Sequence, residues 1–333
     1  MYEQYYGLSE KPFQLSPDPK FFFGSKEHKQ ALSYLQYGLE QGEGFIVITG
    51  PIGTGKTMIA QSLIKTIDHS AIEAIQIVTS NLSPIELLII IAKKFQLPTS
   101  SDNKAILLEH IYQHLLTLNQ QGKYALILVD EAQNLPIETI EELRMLSNFQ
   151  KNNKPLLQSF LLGQAELKAR LQSPQMEQFR QRIIASYHLE PLTNEELKLY
   201  IKHRLKLAGL VDQQLLSEDC FTLIAQKTLG IPRKINLLMD RTLLYGFLND
   251  LSCISSGNLQ TVLNEMENEL SAAISDTNAD AMKVNKPILD NKKSTTILSE
   301  LEQYLEENID QKVKLNRYLD KLIKQKEISR DCK

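Results

Sequence analysis

A glycine-rich segment in the first quarter of the chain has the residue types and spacing of a phosphate-binding loop. It follows the apolar run Phe45–Thr49 and opens a stretch with helical periodicity. Glycines let backbone N–H groups curve around a polyphosphate, a lysine supplies a cation for the outer phosphates, and the helix start adds a positive dipole end. The predicted nucleotide-binding residues are Gly50, Pro51, Ile52, Gly53, Thr54, Gly55, Lys56, Thr57 and Met58.

A pair of acidic residues supplies the second half of this predicted site. Asp130 and Glu131 follow the apolar run Ala125–Val129, which reads as a buried strand. Open α/β sheets bind ligands at the carboxyl ends of their strands. Asp130 is therefore suited to bind Mg²⁺ together with Thr57, and Glu131 to act as the base that polarises an attacking water. Alone, the pair could be an acidic turn; behind a phosphate-binding loop it predicts ATP hydrolysis.

Three arginines are candidates for contact with the outer phosphate. Arg180 and Arg182 precede a predicted strand, near where an ATPase that hydrolyses in trans places an arginine finger. Either could instead complement a helix end or form a surface ion pair; Arg182 is the preferred finger. Arg233 lies in the first turn of a predicted helix, where a cation is unfavourable unless an anion offsets it. A γ-phosphate is such an anion, and the alternative is a solvated arginine.

Two amide side chains follow predicted strands of the same sheet. Gln164 could hydrogen-bond the γ-phosphate or the attacking water, or could serve as a polar turn residue. Asn81 could hold Glu131 in check before activation, or could form a local turn. The sequence leaves these alternatives open.

Alternating strands and helices must position these residues. Short apolar runs predict five strands, at Phe45–Thr49, Ala74–Val78, Ala125–Val129, Leu157–Leu162 and Ile183–Leu189. Helical periodicity separates the runs, which is typical of βαβ units in a parallel sheet with helices on both faces. The predicted fold class is therefore α/β, followed by a region that is helical throughout.

Changes of pattern along the chain predict four segments. The α/β domain takes residues 1–192, and a helical domain that opens with a capping-box pattern takes residues 193–269. Residues 270–296 lose periodicity and predict a flexible linker. Leucines at three- and four-residue steps return within residues 297–333, which predicts an imperfect heptad helix that binds itself or a partner.

The composition limits both the class of protein and the cellular compartment in which it is expected. The chain has 333 residues and is 42% hydrophobic, enough for a sizeable core, and its net charge of −3 provides no global basic field for nucleic acid. Three widely spaced cysteines indicate neither a disulfide framework nor a zinc site. The start of the chain is unlike a signal peptide, and the longest apolar run is too short to span a bilayer. A cytoplasmic protein is predicted, with membrane contact only through a partner.

The motifs together resemble those of AAA+ ATPases of the ExeA (general secretion pathway protein A) type. The resemblance covers about residues 1–250. Its main motifs are Tyr5-Tyr6-Gly7-Leu8, Lys11-Pro12-Phe13, Pro17-Asp18-Pro19, Asp130-Glu131-Ala132-Gln133 and Arg180-Gln181-Arg182-Ile183. Residues 42–50 and 157–164 are most similar to the branch associated with exosortase and PEP-CTERM exopolysaccharide loci.

The resemblance implies a P-loop NTPase of AAA+ type with a helical lid, in which Arg233 is the second sensor. It further implies ATP and Mg²⁺ as ligands, a nucleotide-linked homo-oligomer, and service to an envelope secretion or polysaccharide-export system, with a peripheral place at the inner membrane. Proteins of this type often continue into a transmembrane helix and a periplasmic peptidoglycan-binding domain; the sequence predicts neither here.

Two other functions are compatible with these motifs. AAA+ proteins of transposition share the ATPase core, so a DNA-associated regulator is one alternative, although the mild acidity disfavours nucleic acid. A non-hydrolysing nucleotide switch or scaffold, with the heptad tail as its working part, is the other. The presence of both Asp130 and Glu131 favours hydrolysis over that second alternative.

Overall fold

Two units make up the chain, Met1–Ser256 and Gly257–Lys333. The computed structural model describes residues 1–79, 81–99, 103–210 and 215–281. The predicted heptad tail at 297–333 therefore lies outside the described residues. The predicted boundary between residues 192 and 193 falls inside the first unit and stays a prediction.

The first unit is built on a parallel sheet. The strands in the described residues are β1 (Phe45–Thr49), β2 (Ile72–Val78), β3 (Tyr124–Asp130), β4 (Gln150–Lys151), β5 (Lys154–Pro155), β6 (Leu157–Gly163) and β7 (Ile183–His188). Five of them form the parallel sheet in the order β2-β3-β6-β1-β7. Parallel neighbours need crossover connections, which helices supply, and the predicted α/β class is confirmed.

The helices of the first unit precede, connect and follow these strands. They are α1 (Tyr2–Tyr5), α2 (Lys26–Gln41), α3 (Lys56–Thr66), α4 (Pro84–Lys94), α5 (Lys104–Gln120), α6 (Ile137–Leu146), α7 (Ala165–Leu171), α8 (Glu177–Arg180), α9 (Asn194–Leu207), α10 (Glu218–Thr228) and α11 (Pro232–Leu248). The predicted capping box opens α9: the Thr193 hydroxyl accepts the N–H of Glu196 at 3.3 Å, and the Glu196 carboxylate accepts the N–H of Thr193 at 3.2 Å.

Alternation along the strands divides the core between the two faces of the sheet. In β1, Phe45 and Val47 pack into one apolar cluster, and Ile46 and Ile48 pack into the other. A strand that is buried on both faces has a nearly continuous apolar sequence, as β1 does. Because β6 lies between β1 and β3 in a parallel sheet, the segments that leave these three strands meet at one edge.

A short hairpin was missed by the sequence prediction. Strands β4 and β5 pair in antiparallel fashion just before β6. Asn152 and Asn153 form its turn with φ of 53° and 59°. Asparagine tolerates this left-handed backbone region and is favoured in two-residue hairpin turns. The Asn-Asn pair could therefore have predicted this hairpin turn from the sequence.

The N-terminal segment (Met1–Ser25) packs on the helices that follow the sheet. The hydroxyl of Tyr2 donates to the Asp240 carboxylate at 2.5 Å, and that of Tyr6 donates to the carbonyl of Leu251 at 3.1 Å. Burial and the carboxylate of Asp240 raise the pKa of Tyr2, so its hydroxyl keeps its proton and remains a donor. The two ends of the first unit are therefore fastened to each other.

The second unit is described through the helix α12 (Ser256–Ala281). It continues past residue 270, where the sequence predicts the start of a flexible linker. Alanines at 272, 273 and 279 have high intrinsic helix propensity, which the loss of apolar periodicity concealed. Within the part of the chain that the structure describes, no helix has the length and hydropathy to cross a bilayer.

Candidate functional site

The phosphate-binding loop leaves β1 at the carboxyl edge of the sheet and enters α3, so residues 50–58 lie together as predicted. Gly53 and Gly55 have φ of 80° and 99°, a backbone region that residues with a Cβ rarely adopt. A Cβ on Gly53 would lie 2.6 Å from the Cβ of Arg233. A Cβ on Gly55 would lie 2.8 Å from Nε2 of His28. The loop is therefore enclosed by α11 on one side and α2 on the other.

Lys56 lies inside the curve of this loop. It is 5% exposed, and its ammonium donates to the carbonyls of Gly50 at 2.9 Å and Pro51 at 2.8 Å. Burial lowers the pKa of Lys56, and the nearby carboxylates of Glu131 and Asp130 oppose that shift. A cation enclosed by backbone in this way is placed to meet anionic oxygens that enter the loop.

A hydroxyl and a carboxylate meet beside the loop. The Thr57 hydroxyl donates to Oδ2 of Asp130 at 2.6 Å, and Oδ1 of Asp130 accepts the N–H of Glu131 at 3.0 Å. Asp130 is buried, and burial raises its pKa, while the hydrogen bond from Thr57 lowers it. Magnesium prefers hard oxygen ligands of these two kinds. The donor set therefore fits the predicted metal site.

Glu131 is held by two amide side chains. Its Oε2 accepts hydrogen bonds from Nε2 of Gln133 at 2.6 Å and from Nε2 of Gln164 at 3.2 Å. Oε1 of Gln133 in turn accepts the backbone N–H of Gln164 at 3.0 Å. The structure thus brings Gln164 to the predicted base, and it adds Gln133, which the sequence prediction missed. The signals for Gln133 were its polar side chain two residues after Glu131 and its place in the Asp130-Glu131-Ala132-Gln133 motif.

Thr79, which follows β2, supports the backbone at Asp130 and Glu131 in the place where the sequence suggested Asn81. The hydroxyl of Thr79 donates to the carbonyls of Asp130 at 3.0 Å and Glu131 at 2.7 Å. The amide of Asn134 donates to the carbonyl of Thr79 at 3.3 Å, whereas Asn81 is exposed. Among the described contacts, Glu131 is therefore held from its own turn and from the end of β6.

The two arginines proposed as fingers bind helix ends within the described residues. Nη1 of Arg180 donates to the carbonyls of Leu171 at 2.9 Å and Ser173 at 2.6 Å, where α7 ends. Nη1 of Arg182 donates to the hydroxyl of Ser147 at 2.7 Å, where α6 ends. Among the described contacts, neither guanidinium hydrogen-bonds to a residue of the phosphate-binding loop.

Arg233 brings the helices after the sheet to the loop. It lies in the first turn of α11, and its backbone N–H donates to the carbonyl of Gly53 at 3.2 Å. Gly230, with φ of 72°, makes the turn before it. The structure therefore places Arg233 at the loop, although it lies far from the other site residues in sequence.

Replacing Gly53 by alanine is expected to destabilise the contact between the loop and α11. The new Cβ would lie 2.6 Å from that of Arg233 on a backbone with φ of 80°. Strain and steric overlap together predict a loss of about 3 kcal/mol in the free energy of unfolding, measured by denaturant titration.

Gly122 provides a matched control for that substitution. Its φ is 75°, but a Cβ there would meet nothing within 4 Å. Alanine at this position carries only the backbone strain, about 1 kcal/mol. Equal losses at Gly53 and Gly122 would contradict the close approach of α11.

Fold and site define a P-loop protein of the AAA+ class. A family model described as an AAA domain matches residues 39–171. The fold resembles Cdc6p of Pyrobaculum aerophilum, at a TM-score of 0.59 and 18% identity, over 79% of this chain and 70% of that one. It also resembles the ORC2 protein of Aeropyrum pernix in its ADPNP-ADP complexes, at a TM-score of 0.55 and 18% identity, over 73% and 68% of the two chains. At these identities the likeness concerns the fold.

A more similar relative defines the type within that class. The chain is 39% identical over 267 residues to general secretion pathway protein A of Aeromonas hydrophila, covering 80% of this chain and 48% of that protein. The chain is therefore similar to AAA+ ATPases of the ExeA type, and the predicted resemblance is confirmed. It spans about half the length of this curated relative. The exosortase-associated branch stays a prediction.

Proposed function

We propose that the chain binds ATP with Mg²⁺ and hydrolyses it. Backbone N–H groups of residues 50–58 would hold the phosphates, and Lys56 would reach the outer ones. Thr57 and Asp130, whose oxygens lie 2.6 Å apart, would hold the metal ion. When bound, Mg²⁺ supplies charge neutralisation for the phosphates. Arg233 would contact the γ-phosphate and so couple its presence to the helices that follow the sheet.

The position of Glu131 carries the proposal of hydrolysis rather than binding alone. A carboxylate that accepts from two amide donors is held in a fixed orientation. Glu131 would take a proton from the attacking water, and Gln164 would help to orient that water. Gln133 links both residues, so the three side chains would act as one arrangement beside the outer phosphate.

Phosphate release from ATP tests this function directly. We expect turnover by the purified chain that stops when EDTA removes Mg²⁺, and turnover per chain that rises with protein concentration. The rise would follow from completion of each site by a second subunit. Absence of turnover at every concentration, with ATP binding intact, would favour the non-hydrolysing switch instead.

We further propose that Arg182, or in its place Arg180, completes the site of a neighbouring subunit in a homo-oligomer. Arg182→Ala is expected to lower turnover by about 10³-fold. Mixing Arg182→Ala chains with Glu131→Gln chains should restore part of the activity. The Arg182→Ala chain then supplies the intact site, and the Glu131→Gln chain supplies the intact arginine. Phosphate release by the mixture measures this recovery.

The mixing experiment separates a finger from a structural arginine. A misfolded Arg182→Ala chain would not recover on mixing, and neither would a chain that hydrolyses without its neighbour. The same experiment with Arg180→Ala is the matched comparison, since Arg180 also binds a helix end. Recovery with only one of the two variants identifies the finger.

We propose that ATP turnover serves assembly of an envelope secretion or exopolysaccharide-export system, with a place beside the inner membrane. The 39% identity to general secretion pathway protein A supports the secretion part. Proteins that co-purify with Glu131→Gln chains in the presence of ATP would identify the partner. A DNA-associated regulator would instead show duplex DNA binding with a steep dependence on salt.

A further inference from the structure

A buried histidine joins the N-terminal segment to the phosphate-binding loop. His28 lies in the first turn of α2 and is 5% exposed. Its Nε2 is 2.9 Å from the carbonyl oxygen of Thr54, and its Nδ1 is 2.5 Å from the hydroxyl of Ser25. The ring therefore connects the start of α2 to the backbone just before Lys56.

The partners of the ring assign its tautomer. A carbonyl oxygen only accepts, so Nε2 carries the proton and donates to Thr54. The Ser25 oxygen accepts the backbone N–H of His28 at 3.2 Å, and its own hydrogen is then available for Nδ1. Burial lowers the pKa of His28, and the carboxylates of Glu196 and Glu27 oppose the shift. Both ring nitrogens are satisfied in one neutral form.

The carbonyl that His28 holds belongs to the peptide between Thr54 and Gly55. In a trans peptide, the C=O and N–H groups point to opposite sides. With its carbonyl on the imidazole, this peptide turns the N–H of Gly55 to the side away from the ring. Gly55 is the N-cap of α3, and N–H groups at a helix start are the ones that bind phosphate.

We propose that His28 is a positioning residue for nucleotide binding: it fixes the peptide between Thr54 and Gly55 so that the N–H of Gly55 faces the phosphates. This inference rests on the proposed binding of ATP. The ring also lies against Gly55, because Nε2 is 2.8 Å from the position that a Cβ on Gly55 would take. His28 touches no phosphate itself and acts through the loop backbone.

The start of α2 also contacts the N-terminal segment and a helix that follows the sheet. The ring of Phe22, in the N-terminal segment, packs edge-on against His28 with centroids 5.6 Å apart. Two residues before His28, the N–H of Lys26 donates to the Glu196 carboxylate at 2.9 Å. Glu196 belongs to α9, so the first turn of α2 contacts both that helix and the loop.

Hydrogen exchange in the protein without nucleotide tests the positioning role. His28→Phe keeps a ring but removes the donor, and His28→Gln keeps a donor of similar reach. We expect His28→Phe to speed amide exchange in residues 50–57 about tenfold and to weaken ATP binding about tenfold, the effect of one lost buried hydrogen bond. His28→Gln should stay near the wild type in both measurements. His69→Phe, at an exposed histidine, is the control for the substitution itself.

Two results would overturn the inference. The first is that His28→Phe shows wild-type amide exchange in the loop. The second is that His28→Gln is as impaired as His28→Phe in exchange and ATP binding, although both variants melt near the wild-type temperature. If His28→Phe does not fold, Ser25→Ala removes the partner of Nδ1 and keeps the ring, and loop exchange should still rise. A wild-type chain that binds no ATP would refute the proposed function, while the exchange comparison would still decide the role of His28.

Discussion

Replacing Glu131 by glutamine is expected to lower kcat for ATP hydrolysis by about 10³-fold, the usual contribution of a general base. Glutamine has the same shape, and its carbonyl oxygen can accept from the amides of Gln133 and Gln164 that hold the carboxylate at 2.6 Å and 3.2 Å. It cannot take a proton from water. ATP should therefore bind as in the wild type and remain uncleaved, which single-turnover assays measure directly.

Glu138 gives a matched control for this prediction. It lies seven residues further along, exposed in the first turn of α6, so Glu138→Gln makes the same change of charge without touching the site. Wild-type turnover by Glu131→Gln would place the base elsewhere. A loss of turnover that came with a loss of ATP binding would also contradict the proposed role.

Replacing Lys56 by alanine is expected to weaken ATP binding by about a hundredfold, in line with two or more charge-assisted hydrogen bonds. The ammonium is enclosed by the loop and donates to the carbonyls of Gly50 and Pro51 at 2.9 Å and 2.8 Å. The lowered pKa of Lys56 shows that burial disfavours this cation. Its removal should therefore change the melting temperature much less than the nucleotide affinity.

Calorimetric titration with ATP measures the loss of affinity in Lys56→Ala, and thermal melting measures the change in its stability. Lys65, exposed in the last turn of α3, is the control, because Lys65→Ala removes the same charge from the same helix. Equal affinity in both variants would show that Lys56 does not contact the nucleotide. A large fall in the melting temperature of Lys56→Ala would indicate a structural role instead.

The parts of the site that the sequence predicts are those fixed by consecutive residues. The apolar run of β1, the glycines and Lys56 follow one another, so local pattern is sufficient to place them. Asp130 ends the buried strand β3 and Gln164 follows the buried strand β6, and parallel strands bring their carboxyl ends to one edge. The shared edge was therefore predictable from the sequence, whereas the adjacency of β3, β6 and β1 comes from the structure.

The parts that were missed depend on contacts between distant residues or on turn geometry. His28 reaches Thr54 across 26 residues, and no pattern in α2 distinguishes a histidine that faces the loop from one in the core. Gln133 contacts Glu131 because the 3₁₀ turn Ala132–Asn134 curls back on it. The direction of Arg182 likewise depends on where α6 ends. Side-chain direction, unlike strand order, is set by tertiary packing.

The fastening of the N-terminal segment has a consequence for how the chain folds as it is made. Tyr2 and Tyr6 leave the ribosome well before their partners, which lie 238 and 245 residues later. Contacts this distant in sequence form late, since the intervening chain must first be ordered. Until then the rings of Tyr2 and Tyr6 remain uncovered, which promotes aggregation. A chain stopped before residue 240 would keep them uncovered permanently, however well its sheet had formed.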